Sequence, residues 1–204
     1  KNWKAIVTTG PTREYIDPVR YISNESSGKQ GCEIAIALNK LGIKTTLIAG
    51  PSSLVFPKDL KVKKITSADE MLNEVKKSFP ADLVVCAAAV TDFKPTENNK
   101  NKIKKEAIKL QKINFVKNYD ILEYVSKNNK HRPRLVAGFS AETENVINNS
   151  VTKMKRKNCD IIFANDVSQK NIGFSSDYNK ISVIDKKGNV KIIPKNKKSF
   201  IANK

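Results

Sequence analysis

A serine- and glycine-rich segment, NESSGKQG at residues 24–31, has the composition of an anion-binding turn. It stands directly before a predicted helix, where backbone N–H groups and the helix dipole attract negative charge. It departs from two common phosphate-binding patterns, because it lacks the Gly-Lys-Ser/Thr ending of a P-loop and no Gly-x-Gly-x-x-Gly follows the first strand. A phosphate site and an ordinary helix start remain the two interpretations of this segment.

A second polar segment follows the most apolar stretch of the chain, residues 83–90. The alanines at 87–89 would let a ligand approach the backbone closely, and Asp92 is suited to bind Mg²⁺, a ribose hydroxyl or a substrate donor. The alternative is close helix packing over the alanines, with Asp92 capping a turn. Ten residues later, KIKK at residues 102–105 is either a solvated charge run or a source of point charges for phosphates.

Two further polar segments follow predicted strands. Phe139 in GFSAET either stacks a nucleobase or packs in the core, and the next helix carries Lys153 and Lys157 one turn apart on one face. Asn165 lies in the segment ANDVS. Ligands of open α/β sheets bind outside the carboxyl ends of the strands, so the four segments together predict a shared cleft.

The sequence shows no recognisable pair of nucleophile and general base. Its one histidine, His131, lies in a polar stretch typical of a solvated loop. The three cysteines lie far apart in apolar contexts, which is typical of a protein in a reducing cytosol. Many phosphate-directed groups with little acid/base equipment favour a reaction driven by positioning and charge neutralisation, such as phosphoryl or nucleotidyl transfer.

The elements that must position these segments alternate between strands and helices. Strands are predicted at residues 5–9, 45–49, 62–65, 83–90, 108–113, 135–139 and 160–164, and helices at 32–41, between Ser67 and Pro80, around 121–125 and at 144–157. Ser67 is the expected N-cap of its helix, because acidic residues that favour the helix dipole follow it. The alternation predicts an α/β fold with a Rossmann-like open, mostly parallel sheet flanked by helices. Residues 180–185 and 190–193 predict a C-terminal β-hairpin. The stretch between Gly10 and the first helix lacks periodicity and is predicted to be a long functional loop.

The 204 residues include 38 Lys+Arg against 20 Asp+Glu, a net charge of +18. Length and a hydrophobic content of 39% predict one domain over residues 1–204 and exclude outright disorder. No stretch is apolar enough for a membrane helix, and the first residues do not resemble a signal peptide. The charge indicates an anionic partner, either a nucleic acid, a membrane surface or a phosphorylated small molecule. Only five basic residues are arginines, which weakens the nucleic-acid interpretation.

Taken together, the segments GPTREYIDPVRYISNESSGKQG, AAAVTDFKP, KIKK, GFSAET and ANDVS closely resemble the phosphopantothenate-cysteine ligase family, also called phosphopantothenoylcysteine synthetase. They occur in the family's order, and KIKK resembles the bacterial type, which uses CTP. The resemblance implies a synthetase domain of coenzyme A biosynthesis. Such a domain joins 4′-phosphopantothenate to L-cysteine through an acyl-cytidylate, converting CTP to CMP and pyrophosphate.

The resemblance also implies individual roles. Asn24 and Lys102 match catalytic residues, Asn24 as an oxyanion donor. The matched nucleotide-binding positions are Gly10, Ser26, Gly28, Gly31, Cys86, Ala87, Ala88, Asp92, Lys102, Tyr119, Asp120, Ile121, Leu122, Phe139, Lys153, Lys157 and Asn165. The matched substrate-binding positions are Asn24, Arg20, Ala88, Ala89 and Asp92, and Asp92 is also the expected metal ligand.

The implied partners are CTP as co-substrate, Mg²⁺ or Mn²⁺, and a second copy of the chain, with Arg20 and Asp92 acting across the dimer interface. In many bacteria this domain is fused to an FMN-dependent decarboxylase, so we expect a fused or associated partner and no flavin in this chain. We further expect a cytoplasmic protein that binds neither nucleic acid nor membrane. Tyr15, Thr91 and Ser140 depart from the family pattern and bear on loop rigidity and substrate affinity. The alternatives are a basic nucleic-acid-binding domain and an NAD(P)-dependent oxidoreductase.

Overall fold

A computed structural model of the chain describes residues 2–104, 112–127, 130–168 and 176–204. The strands in chain order are β1 (Lys4–Thr9), β2 (Arg13–Asp17), β3 (Arg20–Ser23), β4 (Lys44–Ala49), β5 (Lys61–Lys64), β6 (Leu83–Cys86), β7 (Phe93–Pro95), β8 (Phe115–Lys117), β9 (Leu135–Glu142), β10 (Ile161–Asp166), β11 (Tyr178–Asp185) and β12 (Val190–Lys197). The helices are α1 (Lys29–Lys40), α2 (Ala68–Lys77), α3 (Ile121–Lys127), α4 (Val146–Lys157) and α5 (Lys198–Ala202).

Within the described residues, eight strands form a central sheet in the order β12-β11-β10-β9-β6-β1-β4-β5, so β12 and β5 are its edges. The strands from β10 to β5 are parallel, whereas β11 and β12 pair antiparallel. Numbered along the chain, the parallel strands follow the order 3-2-1-4-5-6 of doubly wound sheets, with the reversal between β1 and β6. The predicted Rossmann-like sheet and its C-terminal hairpin are confirmed.

Helices cover both faces of the sheet because successive strand residues point to opposite sides. On one face, Ile6 and Val84 belong to a core that includes side chains of α2, α3 and α4. On the other face, Val7 and Val85 pack with Ala35 of α1. α5 packs on the β11–β12 hairpin. The parallel strands are buried on both faces, which explains the continuous apolar runs from which they are predicted.

The N-terminus of α2 is fixed by two reciprocal hydrogen bonds. Ser67 Oγ accepts from the Glu70 N–H at 3.2 Å, and Glu70 Oε2 accepts from the Thr66 N–H at 2.8 Å. This pattern resembles a capping box, which satisfies N–H groups that the helix itself cannot bond. The predicted cap at Ser67 is therefore confirmed.

The segment after β1 is not the unstructured loop that its lack of periodicity predicts, because β2 and β3 pair in it as an antiparallel hairpin. The Asp17 carboxylate holds the turn by accepting two backbone N–H groups at 2.9 and 3.0 Å. Across the strands, the Tyr15 and Tyr21 rings meet edge to face at 5.3 Å. Such a short hairpin depends on its turn and on cross-strand contacts, which hydrophobic periodicity does not detect.

The strand predicted at residues 83–90 is also corrected, because β6 ends at Cys86. Beyond that residue the chain bonds the segment after β1, with the Ala89 N–H donating to the Gly10 carbonyl at 2.9 Å. Ala88 and Val90 still pack against the core, which accounts for their apolar character. Of the strand predicted at 108–113, residues 108–111 lie outside the described residues. In the part of the chain that the structure covers, no helix has the length and apolarity to cross a bilayer.

Candidate active site

Two adjoining clefts open at the carboxyl ends of β1 and β6, where the strand order reverses. The larger has a volume of about 1290 Å³ and the smaller about 420 Å³. They share a wall formed by Ala88, Val90, Asp92, Phe139 and Lys153. Two ligands, or one long ligand, would meet at this shared wall, which is the usual position of ligands in doubly wound sheets.

The smaller cleft is built around the first turn of α1. Gly28 precedes the helix with a φ of 75°, a left-handed conformation that favours glycine, and its carbonyl accepts from Thr9 Oγ1 at 2.5 Å. Gly31 lies so close to β1 that an added Cβ would come within 2.5 Å of Thr9 Oγ1. The N-cap residue Gly28 has no side chain to accept a helix N–H, whereas Ser27 Oγ accepts from the Lys29 N–H at 3.4 Å. An anion in the cleft would meet the N–H groups that follow and the positive end of the helix dipole.

Asn24 spans the mouth of the smaller cleft. Its Nδ2 donates to the Val90 carbonyl oxygen at 3.1 Å, and the residue is otherwise exposed to solvent and the cleft. An amide nitrogen carries two N–H groups, so one can hold Val90 while the other remains for a ligand. The geometry is compatible with the oxyanion role that the resemblance implies for Asn24.

A buried hydrogen-bond network fixes the loop after β6. The Thr91 hydroxyl donates to Glu14 Oε1 at 3.3 Å and lies 3.2 Å from the Thr12 hydroxyl. Glu14 Oε1 also accepts from the Ala68 N–H at the start of α2, at 2.9 Å. Thr91 departs from the small residue expected there, and its hydroxyl joins this loop to the β2–β3 hairpin and to α2.

The larger cleft carries charges of both signs at the start of α3. Lys157 Nζ lies 2.8 Å from Asp120 Oδ2 and 2.7 Å from Glu123 Oε2, while Lys127 Nζ lies 2.6 Å from Glu123 Oε1. Hydrogen bonds from Lys127 and then Lys157 lower the pKa of Glu123 to about 2. Burial disfavours the charged form of Lys157, but its two carboxylate partners outweigh that effect and raise its pKa.

These ion pairs qualify the expectation that Lys157 binds the nucleotide. The side chain is charged and almost fully buried, and it points at Asp120 and Glu123. An ammonium has three N–H donors, so two carboxylates leave one for a ligand. Lys153, one turn earlier, instead donates to the Phe139 carbonyl at 2.9 Å on the shared wall.

Phe139 and Cys86 form apolar parts of the cleft walls. The Phe139 ring lies 5.0 Å from the Phe163 ring, so it packs against the core and lines both clefts at once. The two interpretations offered for Phe139 are therefore compatible. Burial raises the pKa of Cys86 to about 12, so the thiol lines the larger cleft in its neutral form.

Most of the predicted site residues lie in the two clefts. The larger is lined by Cys86, Ala88, Asp92, Tyr119, Asp120, Ile121, Leu122, Phe139, Lys153 and Lys157. The smaller is lined by Asn24, Ser26, Gly28, Gly31, Ala87, Ala88, Ala89, Asp92, Phe139, Lys153 and Asn165. In the described part of the chain, Gly10, Arg20 and Lys102 line neither cleft. Gly10 instead packs against Gly28, because a Cβ added at Gly28 would come within 3.2 Å of Gly10 Cα.

Asp17 connects the β2–β3 hairpin to the segment that carries Lys102. Its carboxylate is fully buried and accepts from Arg20 Nη1 at 2.9 Å and from the Ile103 N–H at 3.2 Å. Arg20 Nη1 also donates to the Ile103 carbonyl at 3.4 Å. Lys102 itself is exposed. Arg20 thus helps to anchor the Lys102 segment, a role that the sequence motifs do not suggest.

Several residues that line the clefts are absent from the predicted site. In the larger cleft these include Asn118, whose Nδ2 donates to the Thr91 carbonyl at 2.8 Å, and Glu123. In the smaller cleft they include Gln30, Asn179 and Lys198. The spacing of Glu123 and Lys127 suggests an ion pair on α3. For Asn179 and Lys198 no local signal exists, since the C-terminal hairpin brings them to the cleft.

Asp92 is the expected metal ligand, and the described residues contain no group of three or more His, Cys, Asp or Glu side chains able to hold an ion. Mg²⁺ is usually bound through one or two carboxylates together with substrate phosphates. Asp92 is exposed on the shared wall, where it can supply such a carboxylate. The residues fit a metal ion that arrives with a nucleotide.

The chain is similar over its length to known proteins. The coenzyme A biosynthesis bifunctional protein CoaBC of Haemophilus influenzae is 43% identical over 198 residues, which cover 97% of this chain and 49% of that protein. The protein of the same name from Escherichia coli K12 is 42% identical over 204 residues, covering 98% of this chain and 50% of that protein. The chain therefore spans about half the length of these curated relatives.

Structure comparison leads to the same group. The crystal structure of the C-terminal domain of CoaBC superposes with a TM-score of 0.81 at 32% identity, covering 99% of this chain and 91% of that chain. The family model described as the DNA/pantothenate metabolism flavoprotein C-terminal domain matches residues 1–204. With its doubly wound sheet and its paired clefts, the chain belongs to the DNA/pantothenate metabolism flavoprotein C-terminal domain family.

Proposed function

We propose that the chain is a phosphopantothenate-cysteine ligase of coenzyme A biosynthesis, comprising a single synthetase domain over residues 1–204. The observation that carries the proposal is the shared wall, which joins a cleft at the N-terminus of α1 to a larger cleft able to hold a nucleotide. Asn24 lies at the mouth of the smaller cleft and bonds the wall residue Val90. Family membership and the printed names of the relatives support the pathway.

In the first step, a carboxylate oxygen of 4′-phosphopantothenate attacks the α-phosphorus of CTP. The bond to the leaving pyrophosphate breaks, and an acyl-cytidylate forms. Because both reactants are anions, fixed positive charge lowers the barrier. Lys153 on the shared wall and the first turn of α1 supply that charge within the clefts. Lys102, which lines neither cleft, would add to it from the segment that Asp17 anchors. Mg²⁺ held by Asp92 and the nucleotide phosphates would neutralise further phosphate charge.

In the second step, the amine of cysteine attacks the acyl carbon, the bond to the cytidylate oxygen breaks, and CMP leaves. The amine loses a proton as the amide forms. Negative charge develops on the acyl oxygen before CMP departs. The N–H of Asn24 that Val90 does not use would stabilise this charge.

The assembly and the cellular context extend the same proposal. We propose a homodimer in which Arg20 and Asp92 approach the substrate site of the neighbouring copy. We also propose a fused or associated FMN-dependent decarboxylase, since the relatives are called bifunctional and are about twice as long as this chain. The flavin would belong to that partner, and the assembly would work in the cytoplasm.

Product analysis tests the proposed reaction. The purified protein is incubated with CTP, Mg²⁺, L-cysteine and 4′-phosphopantothenate, and CMP, pyrophosphate and the amide product are quantified. We expect equal amounts of CMP and pyrophosphate that depend on both acid and cysteine. CMP at the background level would refute the ligase function. Repeating the assay with ATP at matched Mg²⁺ tests the expected preference for CTP.

Two alternatives make different predictions in binding assays. An NAD(P)-dependent oxidoreductase would be stabilised against heat by NADPH and not by CTP, whereas the ligase should show the reverse. A basic nucleic-acid-binding domain would bind oligonucleotides with steep salt dependence and release no CMP. The family match favours the ligase over both.

A further inference from the structure

Thr12 contacts both of the loops that the hydrogen bond between Asn24 and Val90 joins. Its carbonyl oxygen accepts from the hydroxyl of Ser23, the residue before Asn24, at 2.8 Å. Its own hydroxyl accepts from the N–H of Thr91, the residue after Val90, at 3.2 Å. Thr12 is fully buried and, in the described part of the chain, lines neither cleft. It therefore holds the neighbours of both partners without reaching the site itself.

The hydrogen bond from the Thr91 N–H fixes the direction of the Val90 carbonyl. Both groups belong to one peptide unit, which is planar and trans, so the N–H and the C=O point in opposite directions. The N–H points at the buried Thr12 hydroxyl, and the C=O accepts from Asn24 Nδ2 at 3.1 Å. A rotation of this peptide unit would move both groups together. The acceptor that holds the Asn24 amide is thus itself held through Thr12.

The Thr12 hydroxyl is fixed in turn by a buried network. The Thr91 hydroxyl has one proton, which it donates to Glu14 Oε1 at 3.3 Å. The Thr12 hydroxyl is therefore the donor in the 3.2 Å contact between the two threonines, and its oxygen accepts from the Thr91 N–H. Glu14 is buried and also accepts from the Ala68 N–H. A satisfied buried network of this kind leaves the Thr12 side chain little freedom to rotate.

We propose that Thr12 is a positioning residue, which orients the Asn24 amide by holding the residues next to both partners of the Asn24–Val90 hydrogen bond. Thr12 touches no ligand and acts only through Asn24. Its effect on catalysis rests on the proposed function, in which the second N–H of Asn24 stabilises charge on the acyl oxygen. Its effect on the geometry of the Asn24 amide depends on no reaction.

Nuclear magnetic resonance of the full chain tests the geometric effect without turnover. The Nδ2 protons of Asn24 are assigned in nitrogen–proton correlation spectra by their loss in Asn24→Ala. Thr12→Val removes the hydroxyl at similar shape, and Thr12→Ser keeps it. We expect Thr12→Val to shift the Asn24 side-chain signals and to speed the solvent exchange of the proton bonded to Val90. Thr12→Ser should leave both close to the wild type.

Thr45→Val is the matched control for the loss of a buried threonine hydroxyl. Thr45 is also buried, and its hydroxyl donates to the Ile43 carbonyl at 3.0 Å. It lies near the amino end of β4, whereas the clefts open at the carboxyl ends of the parallel strands. Thr45→Val should therefore leave the Asn24 signals unchanged. The same shift in both variants would assign the effect to a general loss of packing and would contradict positioning by Thr12.

Kinetics test the effect on catalysis. We expect Thr12→Val to lower kcat for amide formation by about 10- to 100-fold, because a small displacement of a catalytic group is costly. The KM values for CTP and 4′-phosphopantothenate should stay within about twofold, since the Asn24 contact is made in the transition state. In the Asn24→Ala background, Thr12→Val should cost less than about twofold, because no amide remains to be positioned. Thr12→Ser should retain most of the wild-type kcat.

Two further results would overturn the proposal. One is a set of Asn24 signals in Thr12→Val that matches the wild type. The other is a fall in kcat that is equally large with and without the Asn24 amide, as expected of a purely structural threonine. If the wild type forms no amide product, the ligase function fails, while the Asn24 signals still decide the role of Thr12. If Thr12→Val does not fold, Ser23→Ala, which removes the other side-chain bond to Thr12, takes its place in the same measurements.

Discussion

Asn24 Nδ2 lies 3.1 Å from the carbonyl oxygen of Val90, so the loop before α1 is hydrogen-bonded to the loop after β6. The two loops come from opposite sides of the point where the strand order reverses. The contact holds the Asn24 amide at the mouth of the smaller cleft, next to the wall shared with the larger one. A side chain positioned this way can act on a bond that forms between ligands of the two clefts.

Asn24→Ala should separate the two steps of the proposed reaction. Loss of one oxyanion donor typically slows a reaction by about 10²- to 10³-fold, and here the loss should fall on the attack of cysteine. The acyl-cytidylate should accumulate while the amide product falls, as measured by rapid quench and chromatography. Asn39→Ala, at the other end of α1, should behave as the wild type. An equal loss of intermediate and amide would contradict the oxyanion role.

Gly31→Ala should loosen the packing of α1 on β1. The new Cβ would come within 2.5 Å of Thr9 Oγ1 and 2.7 Å of Thr9 Cβ, so the helix or the strand must shift. Overpacking of this kind usually lowers the free energy of unfolding by about 1–3 kcal/mol. Lys40→Ala, on the exposed last turn of α1, should change it by no more than about 0.5 kcal/mol. Urea denaturation checks both values, and equal midpoints for the two variants would refute the packing argument.

Asp17→Asn should act on catalysis through Lys102. The Asp17 carboxylate accepts from the Ile103 N–H at 3.2 Å. Weakening this hydrogen bond would release the segment that carries Lys102. Because both residues then act on one segment, Lys102→Ala should cost less in the Asp17→Asn background than in the wild type. Coupling of at least about 0.5 kcal/mol is expected from kcat in a double-mutant cycle.

The control for that cycle is Asp59→Asn, an exposed substitution after β4. It should leave kcat unchanged and should show no coupling to Lys102→Ala. Circular dichroism checks that Asp17→Asn is folded. Independent, multiplicative effects of Asp17→Asn and Lys102→Ala would rule out anchoring through Asp17.

Glu123 should contribute to the pH dependence of stability at acid pH. Hydrogen bonds from Lys127 and Lys157 lower its pKa from 4.5 to about 2, so folding favours the ionised carboxylate. The stabilisation is present above the unfolded pKa and is lost as the pH falls through the folded value. Between pH 5 and pH 2, the wild type should therefore lose more stability than Glu123→Gln. Urea unfolding at several pH values measures the difference.

Glu97→Gln is the matched control for the pH series. Glu97 is exposed just after the short strand β7 and forms no ion pair within the described residues. Its substitution should leave the acid limb of the stability profile parallel to that of the wild type. If the stability of Glu123→Gln also falls with pH in parallel with that of the wild type, the ion pairs at the start of α3 do not stabilise the folded state.

Patterns in the sequence are sufficient to predict the central sheet and most of the residues that line the cleft walls. The strands buried on both faces appear as continuous apolar runs, and the polar segments after them lie at one edge of the sheet because parallel strands end together. Asn24, Asp92, Phe139 and Asn165 could therefore be placed near one another before any contact was known. The N-cap at Ser67 is also predictable, because it depends only on residues next to it in the chain.

The remaining features depend on contacts between distant segments. The β2–β3 hairpin is held by the Asp17 turn and a pair of tyrosine rings, and neither produces a periodic pattern. Lys157 could be placed on a helix face, but its pairing with Asp120 and Glu123 requires the packing of α4 on α3. Lys198 reaches the cleft because the C-terminal hairpin returns across the sheet, which local spacing cannot show.

The two edges of the central sheet share a composition that bears on solubility. β5 reads KVKK, and β12 contains Lys191, Lys195 and Lys197 as well as Pro194. An edge strand offers unpaired N–H and C=O groups to strands of other molecules, and lysine and proline are the residues that best discourage such pairing. Part of the net charge of +18 therefore disfavours aggregation through the sheet edges. This role of the lysines is independent of any phosphate that the clefts bind.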